Sequence, residues 1–89
     1  MNKRSANKVL NEGQYLLNQE IKLKSKEGGI IKEHIFVVES FGAAKIYFQT
    51  NESTVWYEVW ANLRNRQTGS LHKMLLQRLI QMFPNRNKK

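Results

Sequence analysis

Apolar and polar residues alternate along most of the chain up to residue 61, and this alternation predicts strands. The period of two starts at Tyr15 and continues to Lys24, as in a strand with one buried face. Further strands are predicted at Ile30–Glu39, Ala44–Thr50 and Thr54–Ala61. Because short segments rich in Gly, Ser and Asn separate them, we expect consecutive strands to pair in an antiparallel meander.

The last part of the chain has the 3.6-residue period of an amphipathic helix. Its apolar arc is formed by Leu71, Leu75, Leu76, Leu79, Ile80, Met82 and Phe83. Ser70 is predicted to cap the start of this helix, and Pro84 to end it because proline cannot continue the hydrogen-bond ladder. The expected fold is therefore α+β, a four-stranded antiparallel meander followed by one C-terminal helix packed on one sheet face (ββββα).

A single small domain over residues 14–84 is expected, flanked by two basic termini. Residues 1–13 are interpreted as a loose basic arm, with a short helix over Ser5–Asn11 as the alternative. Residues 85–89 form a basic tail. Both termini would add nonspecific, salt-sensitive attraction to an anionic partner.

The net charge of the chain indicates which classes of partner it could bind. The chain has 15 Lys and Arg residues against 7 acidic residues, a net charge of +8, which favours nucleic acid, an anionic membrane surface or an acidic protein. The absence of cysteine excludes disulfides, thiolate zinc sites and thiol catalysis. No apolar run approaches the roughly 20 residues that span a bilayer. Since the N-terminal segment also lacks the apolar region of a secretory signal, we expect a cytoplasmic protein.

The segment Lys45–Trp60 contains both tryptophans of the chain, interleaved with polar residues on two predicted strands. If the connection between these strands has an even number of residues, Lys45 and Tyr47 share a sheet face with Trp56 and Trp60. That face would offer rings on which bases stack and a lysine for phosphate, as in proteins that bind single strands.

An odd connection would place Glu58 beside Ile46 and Phe48, on the face expected to be buried. A buried carboxylate without a partner costs several kcal/mol, so the even register is favoured. Alternatively, the two tryptophans cover a small core or lie beneath the N-terminal arm. A protein interface is a third use for this face, because Trp, Tyr and Arg are enriched at interfaces.

Lys22, Lys24 and Lys26 alternate along the end of the first predicted strand and into its turn. Alternate residues of a strand share a face, so this row could follow a phosphate backbone. The structural alternative is an edge strand that lysines protect from aggregation.

Arg64 and Arg66 lie in the polar loop that leads into the predicted helix. Because a helix N-terminus carries partial positive charge, the segment 66–70 is the best predicted anion site of the chain. The alternative is a solvated connecting loop. Lys73, in the first turn of the predicted helix, would extend the same basic surface.

Enzyme chemistry finds little support in the sequence. His34 and His72 are the two histidines, Asp is absent, and no carboxylate pair, activated nucleophile or nucleotide loop can be assembled. His72 is expected to be partly buried on the apolar arc of the helix. We expect no metal and no cofactor, and a nuclease built on His72 with Arg64 or Arg66 is the remaining enzymatic alternative.

These patterns predict a small non-enzymatic nucleic-acid-binding protein, for DNA or RNA, with single strands slightly favoured. The predicted binding residues are Lys22, Lys24, Lys26, Lys45, Tyr47, Trp56, Trp60, Arg64, Arg66 and Lys73. The alternative is a protein-interaction module of the phage or mobile-element type that binds an acidic protein. A homodimer is compatible with both.

Overall fold

A computed structural model describes the backbone of residues 1–48 and 54–85, and the side chains of residues 1–43 and 56–85. The elements are α1 (Lys3–Glu12), a 3-10 turn (Gln14–Leu16), β1 (Glu20–Glu27), β2 (Ile30–Phe48), β3 (Thr54–Asn65), β4 (Leu71–Leu75) and α2 (Leu76–Met82). The predicted fold class is confirmed: four antiparallel strands lie in the order β1-β2-β3-β4, and a C-terminal helix contacts the sheet. Several strands, however, are built from other residues than the sequence predicted.

The second and third predicted strands are one continuous strand, β2, of 19 residues. The sequence predicted a break at residues 40–42, where the structure instead has an irregularity of register between Val38 and Ser40. Such a bulge adds one residue to one strand and bends it while pairing with the neighbouring strand continues. Pairing with β3 resumes with Ser40 opposite Asn62 and continues to Phe48 opposite Thr54.

The predicted helix begins later than expected because its first part is a strand. Residues 71–75 form β4 and pair with β3, with His72 opposite Leu63 and Leu75 opposite Trp60. This pairing satisfies backbone groups that β3 would otherwise leave open at the sheet edge. Ser70 is therefore no helix cap; α2 starts after Leu75, which makes no side-chain capping hydrogen bond.

The N-terminal segment is a packed helix and not the loose arm that was predicted. The side chain of Asn2 caps α1 by accepting a hydrogen bond from the backbone N–H of Ser5 at 2.8 Å. Ala6 and Val9, one turn apart, are buried against the sheet. Tyr15, predicted to start the first strand, lies in the 3-10 turn, and its hydroxyl donates to the carbonyl of Phe83 at 2.6 Å.

Both helices contact β3, and their buried residues join one hydrophobic core with the sheet. We call the sheet face that points into this core the inner face, and the opposite face the outer face. The buried core residues are Ala6, Val9, Leu16, Ile21, Phe36, Val38, Val59, Ala61, Leu63, Leu76 and Leu79. Within the part of the chain that the structure describes, no helix lies on the outer face.

Candidate nucleic-acid interface on the outer sheet face

Both tryptophans lie on the outer face, where the sequence pattern put them. On β3, Val59 and Ala61 are buried on the inner face, so the residues that alternate with them point outward. The described outward residues of β3 are Trp56, Glu58, Trp60, Asn62 and Arg64. Trp56 is 42% exposed and Trp60 is half-buried, so both residues are partly accessible to solvent.

The predicted even register of the β2–β3 hairpin is wrong. Phe48 pairs with Thr54, so the five residues 49–53 connect the strands, and these lie outside the described residues. The register places Lys45 opposite Tyr57 and Tyr47 opposite Val55, at inner-face positions and not beside the tryptophans. The side chains of Lys45 and Tyr47 themselves lie outside the described part of the structure.

Glu58 explains why the register argument failed. It pairs with Ala44 on the helix-free outer face and is half-buried, so the odd connection does not bury its carboxylate in the core. The even register was predicted because Ile46 and Phe48 were expected to define the buried face of this hairpin. The buried Val59 on β3 defines it instead.

Lys22, Lys24 and Lys26 form an exposed row on the outer face of β1. Ile21 is buried and Leu23 half-buried on the inner face, which directs the lysines outward. Successive lysines of the row are about 7 Å apart along the strand, at about 3.4 Å per residue. Lys22 lies 3.9 Å from the carboxylate of Glu33.

Lys73 joins this face from β4, although it was predicted on a helix. It pairs with Asn62 of β3, next to the position of Trp60. A shallow cavity of about 200 Å³ is lined by Gly42, Ala43, Trp60, Asn62 and Lys73. The cavity brings a ring, an amide and a cation together at one point of the outer face. The sequence pattern did not predict Asn62 as a site residue, because the predicted strand ended at Ala61. Its position two residues after Trp60, on the same face of the strand, was the signal that could have identified it.

Arg64 and Arg66 lie at the C-terminal end of β3, and both are paired with carboxylates. Arg64 donates from Nε to Glu39 at 2.7 Å and from Nη1 to the Gly69 carbonyl at 2.6 Å. Arg66 donates from Nη1 to Glu20 at 2.6 Å. Since a guanidinium has five N–H donors, each arginine keeps donors for a phosphate, but an anion must compete with a carboxylate.

The predicted anion site at residues 66–70 is not formed. The side-chain oxygen of Asn65 accepts the backbone N–H groups of Gln67 at 2.8 Å and Thr68 at 3.1 Å. The N–H of Gly69 bonds to the Asn65 carbonyl at 2.8 Å. These amides are thus used within the turn, and the turn leads into β4, so no helix N-terminus stands behind it.

The outer face also carries negative charge, from Glu20, Glu33, Glu39 and Glu58. Among the described residues, no carboxylate lies within 4.0 Å of Lys24, Lys26 or Lys73. These three lysines are therefore the cations of this face that are most open to a phosphate.

The hydrogen bond from Arg64 lowers the pKa of Glu39, and Coulomb attraction to the same guanidinium adds to this, against a smaller opposing effect of desolvation. A carboxyl group whose pKa is lower in the folded than in the unfolded protein stabilises the fold above its unfolded pKa. That stability is lost as the pH falls through the folded pKa. The window here lies at and below the ordinary glutamate value of 4.5.

We predict that Glu39→Gln reduces the loss of stability on acidification from about pH 5 to pH 3. Urea unfolding at several pH values measures the effect. Arg64→Gln should flatten the same part of the profile, since it removes the donor. A profile of Glu39→Gln that superimposes on the wild type would contradict the pairing.

The two histidines lie on the inner face. His34 Nε2 is 3.3 Å from Glu27, and the exposed His72 meets the ring of Phe36 edge-on at a centroid distance of 5.2 Å. Their half-open cavity, about 370 Å³ in volume, is lined by Leu23, Lys24, Ser25, Glu27, His34, Phe36, Asn65 and His72. Among the described residues, no group of three or more His, Cys, Asp or Glu side chains could hold a metal ion.

Neither helix in the described part of the chain has the length and apolar character to cross a membrane. Comparison with protein-family models, with curated proteins and with solved structures gave no match.

Proposed function

We propose that this chain is a small non-enzymatic protein that binds nucleic acid, with single strands preferred, through the outer face of its sheet. Trp56 and Trp60 provide stacking surfaces for bases, and the lysines of β1 together with Lys73 neutralise phosphates. One observation carries the proposal: both tryptophans share the helix-free face with the lysine row and with Lys73.

The spacing of the rings supports a track rather than a single pocket. Trp56 and Trp60 are four residues apart on one strand, about 14 Å at about 3.4 Å per residue. Two bases of one strand can therefore stack on separate rings, and stacking of this kind tolerates any base. Lys73 lies across from Asn62, beside this track, where a backbone passing over Trp60 would meet it.

The second candidate is a protein-interaction surface for an acidic partner. Leu71 is 49% exposed and pairs with Arg64 on the outer face, so apolar and aromatic surface lies beside an arginine. Trp and Arg dominate binding energy at protein interfaces. Recovery of one acidic protein by pull-down after nuclease treatment would favour this candidate.

The proposal is tested with a fluorescein-labelled single-stranded oligonucleotide at low salt. We expect the logarithm of the binding constant to fall linearly with the logarithm of the salt concentration. The slope is about −0.7 per phosphate contacted, so three or four lysine contacts give a slope of roughly −2 to −3. Lys24→Gln combined with Lys73→Gln should make this slope less negative by about one to two. The experiment is done at about 20 mM salt, where charges are screened less than at 0.1 M. Absence of binding under these conditions would overturn the proposal.

A further inference from the structure

One end of the sheet projects as a two-stranded ribbon. Pairing between β2 and β3 starts at Phe36, and the carbonyl of Ile35 accepts a hydrogen bond from Arg66 at 2.9 Å. Beyond this point Leu23–Glu27 pairs with Ile30–His34, and β1 is the last strand on this side of the described sheet. We call this hairpin end, about 15 Å long at about 3.4 Å per residue, the basic ribbon.

The tip of the basic ribbon is tight and apolar. Gly28 and Gly29 form its two-residue turn with φ values of +56° and +81°, which a type I′ turn requires at both positions. Ile30 is 63% and Ile31 70% exposed, the highest values among the large apolar residues that the structure describes. The tip of the hairpin therefore presents one exposed isoleucine on each of its two faces.

The two isoleucines belong to different faces of the ribbon. Ile31 is opposite Lys26 and shares the outer face with the lysine row. Ile30 is opposite Glu27, whose carboxylate lies 3.5 Å from Lys32 and 3.3 Å from His34 on the other face. The outer side of the ribbon therefore combines Ile31 with the lysines and with Glu33, which lies opposite Lys24. On the inner side, the carboxylate of Glu27 lies beside Lys32 and His34.

An anionic membrane and a nucleic acid both suit a basic ribbon with an apolar tip, but the order of the charges favours nucleic acid. If the tip entered a membrane, the lysines, about 7 Å apart along the ribbon, would lie at different depths and not together at the headgroups. Glu27, in the last pair of the ribbon, would have to enter the hydrocarbon with Ile30, at a large cost in desolvation. A row of cations along a strand matches the successive phosphates of a nucleic-acid backbone instead.

The basic ribbon continues the track of the two tryptophans. Gly42 pairs with Trp60, and about 37 Å of strand β2, at about 3.4 Å per residue, separates Gly42 from Ile31. Trp56, Trp60, Lys22, Lys24 and Ile31 all lie on the outer face. A ligand that covers the whole track thus contacts the two tryptophans at one end and Ile31, beside the lysine row, at the other.

We propose that the ligand is a nucleic acid with a single-stranded extension beside a duplex, and that Ile31 packs against the last base pair of that duplex. The proposal rests on the proposed function, because the single-stranded part occupies the tryptophans. Apolar side chains inserted at base steps must unstack them, which costs a few kcal/mol. The base pair at a junction already lacks one stacked neighbour, so an isoleucine covers it at lower cost. Lys24 and Lys26 then contact the phosphates of the duplex end.

The test compares three labelled probes of equal total length at one salt concentration: a single strand, a blunt duplex and a duplex with a single-stranded tail. We expect the tailed duplex to bind roughly tenfold more tightly than the others, the order of magnitude gained by burying one isoleucine side chain. Ile31→Ala should remove this advantage. The matched control, Ile30→Ala, lies on the other face of the same tip and should change binding less than about twofold.

A 2-aminopurine base in the last pair of the tailed duplex reports directly on the contact between Ile31 and that pair. Its fluorescence is higher when the terminal pair frays, so it should fall when wild-type protein binds and Ile31 covers the pair, and Ile31→Ala should abolish the fall. Equal effects of Ile31→Ala and Ile30→Ala, or no preference for the tailed duplex while the single strand still binds, overturn this inference and leave the proposed function standing. Failure to bind any of the three probes overturns both. Ile31-dependent binding to phosphatidylserine vesicles with no preference for the tailed duplex also overturns the inference.

Discussion

Replacement of Trp56 by alanine is expected to weaken binding of a single-stranded oligonucleotide by about 1–3 kcal/mol, roughly 5- to 150-fold. Trp56 lies on the outer face and is 42% exposed, so the residue is partly accessible to a ligand in the folded protein. Stacking requires a base that is free of its pair, and binding of a blunt duplex should therefore change less. Fluorescence anisotropy with both probes at the same salt concentration measures the difference.

Two further variants separate stacking from general loss of apolar surface. Leu71→Ala removes a side chain of similar exposure, 49%, from the same face but removes no ring, and it should change affinity by less than about twofold. Trp56→Phe should restore part of the loss of Trp56→Ala because a smaller ring still stacks. Equal losses for Leu71→Ala and Trp56→Ala would show that the ring itself does not bind bases.

Replacement of Leu63 by alanine is expected to cost about 2–5 kcal/mol of stability. Leu63 is fully buried on the inner face of β3, paired with Val38 on one side and His72 on the other. A domain of this length has a total stability of roughly 4–13 kcal/mol, at about 0.05–0.15 kcal/mol per residue. The cavity left by this substitution would therefore remove a substantial share of the total stability.

Urea denaturation followed by far-UV circular dichroism measures this loss. Ile31→Ala is the matched control, since it shortens an apolar side chain that is 70% exposed, and it should lower the stability by less than about 0.5 kcal/mol. The same measurement shows that the Ile31 variant of the ribbon experiment is folded. A loss below about 1 kcal/mol for Leu63→Ala would mean that β3 is not the centre of the core.

The outward direction of Trp56 and Trp60 could be predicted from the sequence because it depends on alternation within one strand. Val59 on the same strand is buried, and alternation alone then assigns its neighbours to the outer face. The partner strand could not be placed in the same way. Its register depends on the length of the connection, and a change of one residue moves Lys45 and Tyr47 to the other face.

The strand β4 could not be predicted because tertiary pairing overrides a local pattern. Leu71 and Leu75 are four residues apart, as on one face of a helix, and Ser70 suits a helix cap. The same spacing also puts both leucines on one face of a strand, and the open edge of β3 offers backbone partners. A single sequence gives no measure of that long-range gain. The predicted anion site before the helix was lost with the helix start.

The course of β2 shows a second limit. Gly42 follows Ser40 and Phe41, a combination typical of a turn, yet the chain continues through a bulge near Val38. The end of β2–β3 pairing, which leaves the basic ribbon projecting, is likewise a property of two strands together. The lysine row could be predicted from one strand, whereas the exposed apolar tip beside it could not.

Binding of nucleic acid to the outer face can be observed without a label, because the chain's 2 tryptophans both lie on that face. The most direct measurement is a titration of ¹⁵N-labelled protein with a single-stranded oligonucleotide, followed through the two indole N–H resonances and the backbone amides. We predict saturable shifts of both indole signals and of the amides around Lys73, with the amides of α1 and α2 largely unchanged. Shifts concentrated on the helices, or unchanged indole signals at concentrations where the oligonucleotide is bound, would contradict the account.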